Sequence, residues 1–221
     1  MKLILHFFAL LIASSLVAQE STKPALLSEF SFSVNYSIPS SSKHPVEARP
    51  GFGAAVYLPF RLDKKVNPVI GLEFVQTRFY ASTIVDGDEL FYTGADFSYN
   101  QFRLPFSARF HFGKKTTFFI EPGAFASVVL SDFIEGVTHK SVDGKEVTER
   151  VKANLTSSPG IGLSLGFGIQ IPLKKGTLLL RLDENAGSGR TYLAQGSSNE
   201  STIFYNHYLR FSAIYRLPAK Q

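Results

Sequence analysis

Seven charged residues sit where a two-residue repeat would send them all to one side: Glu73, Arg103, Arg109, Glu121, Arg181, Asp183 and Arg210. Four arginines and three carboxylates gathered in one enclosed space could do either of two things. They could pass a proton or ion along, or they could neutralise one another as a plug of salt bridges. Unpaired buried charge is costly, so pairing is the default. A narrow barrel is filled by its own side chains, which favours the plug.

Other chemistry is weakly supported. Nucleophilic catalysis needs a hydroxyl, a base and an acid in contact. His139 and His207, with Ser131, Asp132 and Glu135, could supply them, but no nucleophile–base spacing stands out. His207 has the parity of an outer face, and His111 lies at the opposite end of the strands. A lipid-acting enzyme is therefore the lesser alternative, and the expectation is a chain without catalytic residues. The five histidines are scattered without paired ligand spacing, and there is no cysteine. No metal or cofactor is expected. The glycine-rich pieces GIGLSLGFG and NAGSGR are not phosphate loops, because no helical pattern follows either.

The elements that must carry the charges are strands. In Asn100–Phe112, Phe102, Leu104, Phe106, Ala108, Phe110 and Phe112 alternate with Gln101, Arg103, Pro105, Ser107, Arg109 and His111. Such alternation marks a β-strand with two opposite faces. The pattern recurs at Phe30–Ile38, Gly51–Phe60, from Val69 to Phe74, and at Thr117–Leu130, Gly160–Ile171, Thr177–Asp183 and Ile203–Leu217. Eight such strands, with few signs of amphipathic helix, predict an all-β fold: an eight-stranded antiparallel up-and-down transmembrane β-barrel. Its apolar faces look outward into lipid. Closure is obligatory, since an open edge would leave unpaired peptide groups in hydrocarbon.

The connections support this. Short turns follow the second, fourth and sixth strands; long loops follow the first, third, fifth and seventh. Outer-membrane barrels have short periplasmic turns and long external loops. After Phe74 the pattern breaks, because Gln76 and Arg78 would face lipid, so a bulge or the end of the span is expected there. Residues from about Tyr80 to Phe97 then form a polar loop. The longest loop, Ser131–Ser158, is expected to carry a hairpin around Asp143-Gly144 that projects above the membrane. A further loop runs from about Asn185 to Ser201. Three lysine pairs, Lys64-Lys65, Lys114-Lys115 and Lys174-Lys175, fall in the short turns. There they would meet anionic phospholipid at the periplasmic rim, each lysine worth about 1 kcal/mol, or simply keep the turns wet.

At 221 residues one domain is expected. The net charge of +5 does not point to nucleic acid, since the lysines lie in turns rather than in one patch. With 21 Phe and no Trp, any interfacial girdle must be built from Phe and Tyr. Residues 1–18 read as a secretory signal peptide: Lys2, an apolar run from Leu3 to Ile12, then small residues ending at Ala18. Residues 19–221 are then the barrel domain. With no lipobox cysteine and no apolar run long enough for a spanning helix, the expected location is the outer membrane.

The chain resembles the PorT-like outer-membrane β-barrel family of Bacteroidetes-type bacteria. The resemblance rests on the Leu-Pro strand NQFRLPFSARFHF, on IGLEF and FIEPGAFASVVL with their Glu residues, and on the Gly-rich strand GIGLSLGFGIQIPL. It implies a structural or interaction role linked to secretion or envelope assembly. The implied partners are outer-membrane lipids, the assembly machinery, and an envelope protein met through the external loops. A narrow channel or small-ligand-binding barrel is the alternative. The chain departs from the usual terminal aromatic, since Tyr215-Arg216-Leu217 is followed by four more residues.

Overall fold

The computed structural model describes residues 29–38, 46–60, 65–86, 90–113, 117–142, 145–154, 156–188, 191–192 and 206–218. The predicted leader, Lys64, Lys114, Lys115 and the Asp143-Gly144 turn lie outside them. The strands are β1 (Glu29–Ser37), β2 (Val46–Pro59), β3 (Val66–Asp86), β4 (Leu90–Phe112), β5 (Thr117–Val142), β6 (Lys145–Asn154), β7 (Thr156–Ser157), β8 (Gly160–Leu173), β9 (Gly176–Ser188), β10 (Thr191–Tyr192) and β11 (Asn206–Arg216).

Eight of them close into an antiparallel barrel in the order β1-β2-β3-β4-β5-β8-β9-β11. The seam is β1 against β11, with Glu29 opposite Arg216 and Ser37 opposite Tyr208. No strand edge is left open around the ring, as hydrocarbon requires. The lower part of β5, Thr117–Ser127, pairs with β8. Its upper part, Phe133–Val142, pairs instead with β6. A two-residue ladder joins β7 to β10.

Alternation sorts the side chains as the sequence predicts. Phe32, Phe106, Ile161 and Leu163 are 61 to 70% exposed on the outside. An apolar surface that continuous would be a liability in water and is at home in lipid. Inside, β8 presents glycines that seat aromatic rings from β5. A Cβ on Gly168 would run into the Phe119 ring, and one on Gly162 into the Phe125 ring. Each glycine lies directly opposite its phenylalanine in the ladder. Phe119 and Phe125, which break the polar character of the inner face in the sequence, are therefore lumen fillers. Gly113 and Gly176 take positive φ in two of the short turns, where a side chain would be strained.

Three expectations need correction, for one reason. The described residues of the predicted loop from Tyr80 to Phe97 are strand. β3 and β4 stay paired from Asp86 opposite Leu90 down to the membrane. β5 likewise runs on to Val142. Asn185–Ser188, expected as the start of a loop, are the end of β9. A lipid-matching rule ends each strand where its outward face stops suiting hydrocarbon. Above the bilayer that face meets water, and the ladder simply continues. The irregularity expected near Gln76 falls on the partner strand, where the register shifts between Arg49 and Gly53 of β2. The projecting hairpin is present, with Val142 opposite Lys145 across two residues.

Candidate functional site

The inward faces of the barrel strands deliver their charges to one place. Glu73, Arg103, Arg109, Glu121, Arg181, Asp183 and Arg210 are all buried in the lumen. Glu121 of β5 is one centre. It accepts from Ser107 Oγ at 2.8 Å, Arg109 Nε at 2.5 Å and Arg181 NH1 at 2.8 Å. Glu73 of β3 is the other. It accepts from the Tyr57 hydroxyl at 2.6 Å and pairs with Arg210 NH1 at 2.8 Å. Asp183 joins the two centres, accepting from Arg181 Nε and Arg210 Nε, each at 3.0 Å. Tyr57 joins them again, accepting from Arg181 NH2 at 2.8 Å while donating to Glu73.

Arg103 is the loosest member. Its NH1 lies 3.4 Å from Glu73 Oε2, and NH2 donates to Asn185 Oδ1 at 3.1 Å. The guanidinium lies 3.4 Å from the centre of the Phe125 ring. The cation–π contact supplies part of what a carboxylate would.

The sequence reading missed three members. Glu29 accepts from Arg109 NH1 and NH2 at 2.8 and 3.0 Å and from Arg216 Nε at 2.7 Å. Tyr57 lies inward on β2 beyond Gly53 and Ala55. Each could have been found by carrying the inward parity one step further: Glu29 before Ser31, Arg216 after Ser212 and Ile214, Tyr57 after Ala55. Among the described residues the lumen thus holds five arginines and four carboxylates. β8 supplies no charge but makes room. A Cβ on Gly166 would stand 2.5 Å from Asp183 Oδ1.

Apolar packing lies on both sides of the charges. Toward the short turns Tyr57, Val69, Phe119, Leu179 and Ile214 form one cluster. Toward the long hairpins Phe79 stacks on Phe97 at 4.5 Å and on Tyr99 at 5.9 Å. With low-dielectric packing on each side, these ion pairs are poorly screened, and loss of one partner is costly.

The other candidates lie elsewhere. Lys65, Lys174 and Lys175 are exposed at the short-turn end. His207 on the outer face meets Glu184 at 3.0 Å. His139 stands in a cross-strand row on the projecting hairpin. Its Nε2 is 2.9 Å from Thr93 Oγ1 and its Nδ1 is 3.1 Å from Glu146 Oε1. A hydroxyl, an imidazole and a carboxylate are thus in sequence. Thr148 also reaches Nδ1 at 3.3 Å, and the Glu146 side chain is 71% exposed. Among the described residues no group of three or more His, Cys, Asp or Glu is placed to hold a metal ion.

No protein-family model and no curated protein matches the sequence. Solved structures do. The outer membrane protein OprG from Pseudomonas aeruginosa is 10% identical, with a TM-score of 0.52 over 86% of this chain and 94% of its own. A major outer membrane protein from Thermus thermophilus is 15% identical, with a TM-score of 0.45 over 86% and 99%. The attachment invasion locus protein Ail of Yersinia pestis is 12% identical, with a TM-score of 0.43 over 86% and 98%. At 10% identity the OprG likeness speaks for the fold alone. With the lipid-facing belt, that fold makes the chain an outer-membrane β-barrel.

Proposed function

We propose that this protein is a sealed outer-membrane barrel that acts through the hairpins it holds above the bilayer, in a structural or interaction role tied to secretion or envelope assembly. The carrying observation is the contrast between its two parts. The lumen is filled by a bonded charge network with packed aromatics above it. The projecting part is ordered strand, 10 residues in β6 alone. A barrel whose inside is spent on bonding has its outer surface and its hairpins left for recognition. The PorT-like likeness belongs with this reading, as do a leader at residues 1–18, a long-hairpin end facing outward and an envelope protein as partner. Replacing residues 133–154 by a short turn tests it. The shortened barrel should fold and insert, while the envelope phenotype of a deletion strain should not be restored. Full complementation by the shortened barrel would remove the hairpin from the function.

A second reading, a hydrolase on the hairpin, is favoured by the Thr93–His139–Glu146 row. Two observations weigh against it: the carboxylate is largely in water, and the imidazole is shared with Thr148. Release of fatty acid from lipid A by the purified protein, abolished in His139→Ala, would establish it.

A further inference from the structure

Above the lipid belt the outer wall of the barrel is hollowed. A cleft of about 550 Å³ opens on the outward faces of β3, β4 and β5, with β6 along one side. Ser98 at its base has outward parity and is still buried. Its lower border is the belt itself. Phe52 lines the cleft and also starts a row of rings, 6.3 Å from Phe74, which is 6.2 Å from Phe102. Such a row is the aromatic girdle at which hydrocarbon ends. An outer-leaflet lipid can therefore reach the cleft from the membrane surface.

The charges describe that occupant. Arg78, Arg150 and Lys152 line the cleft, with Asp96 and Glu135. Arg150 is already paired with Glu135 at 2.9 Å. Arg78 makes no ion pair among the described residues, and Lys152 holds its ammonium 4.2 Å over the Phe133 ring. Two cations thus stand free to meet an anion, while the carboxylates can accept hydrogen bonds from hydroxyls. Height narrows the choice further. Arg78 lies four residues beyond Phe74 along β3. At about 3.4 Å per residue, and with a tilt near 40°, that is about 10 Å above the belt. A glycerophospholipid headgroup layer extends only about 5–7 Å from the hydrocarbon. A taller headgroup brings phosphate to Arg78 without the side chain having to bend down toward the membrane.

We propose that this cleft binds the phosphorylated-sugar headgroup of an outer-leaflet lipid, with Arg78 and Lys152 meeting phosphate and Asp96 meeting sugar hydroxyls. The proposal rests on the outward orientation of the long hairpins. Its test does not, because binding is measured in detergent. Full-length protein is mixed with bisphosphorylated lipid A, dephosphorylated lipid A or phosphatidylglycerol, and retained lipid is counted by native mass spectrometry. Bisphosphorylated lipid A should be retained on the order of tenfold better than the other two, a scale set by two cations near an anionic surface. Arg78→Ala with Lys152→Ala should erase that preference. Lys145→Ala, at an exposed hairpin lysine that does not line the cleft, should keep it. Heat-modifiable migration of each variant shows that it is folded. Equal retention of dephosphorylated lipid A, or an unchanged preference in the folded Arg78/Lys152 variant, overturns the phosphate site. Equal retention of phosphatidylglycerol overturns its assignment to a sugar headgroup. A wrong orientation shows itself separately, by protease cutting the short turns from outside the cell.

Discussion

Removing Glu121 tests the luminal network at a carboxylate shared by three side chains. Glu121→Ala takes one acceptor from Ser107, Arg109 and Arg181 at once. Arg109 keeps its two bonds to Glu29, and Arg181 keeps Asp183 and Tyr57. The lumen goes from five cations and four anions to five and three. Breaking a buried pair by deleting one partner costs about 3–5 kcal/mol, mostly for the charge left behind. The retained partners put the expected loss near the lower end, about 3 kcal/mol. Arg103→Met should behave differently. It removes the arginine whose carboxylate contact is the longest in the network and leaves an apolar chain over Phe125, so about 1 kcal/mol or less is expected. Deleting Arg181 together with Glu121 should cost less than the two single losses added, by a coupling of about 1–3 kcal/mol. The assay is urea unfolding of barrels refolded into micelles, followed by gel migration without boiling. Glu121→Ala within about 0.5 kcal/mol of the parent, or additive losses in the pair, would refute the reasoning.

The glycine seats predict a steric effect. Gly168→Ala should destabilise by about 1–3 kcal/mol through its clash with the Phe119 ring and the Leu180 carbonyl, and Phe119→Leu in the same chain should restore only the part owed to the ring; unfolding midpoints decide it. Protease added to intact cells should cut within residues 131–158 and spare 113–116, and the reverse pattern would invert the orientation. Lys174→Glu with Lys175→Glu should weaken association with anionic vesicles by about 1 kcal/mol per lysine removed, seen in co-sedimentation at low salt; no change would leave these lysines as solubilising turn residues.

Much of the barrel was legible because hydrocarbon enforces a two-residue rule. Phe102 to Phe112 on one face, against Arg103 and Arg109 on the other, could fit one structure. The same rule misled where it no longer applied. Tyr80 and Asp96 looked like loop, since neither suits lipid, but their peptide groups still pair across β3 and β4. Inward placement of the seven charges followed from parity alone. Their partners did not, because the stagger of the strands sets which heights meet across the lumen. Arg109 finds both Glu29, 80 residues away, and Glu121, only 12 away. The cleft above the lipid belt was hidden for a related reason: outward parity gives a direction, and the sequence carries no sign of where the wall hollows.

Conductance of the purified protein in a planar bilayer measures the sealed lumen most directly. With Arg109, Arg181, Glu121 and Glu73 bonded across it, and Phe79 stacked on Phe97 toward the hairpins, the parent should show no steady open level. Sustained ohmic steps from heat-modifiable, fully folded protein would contradict the account and turn the charges into the lining of a channel.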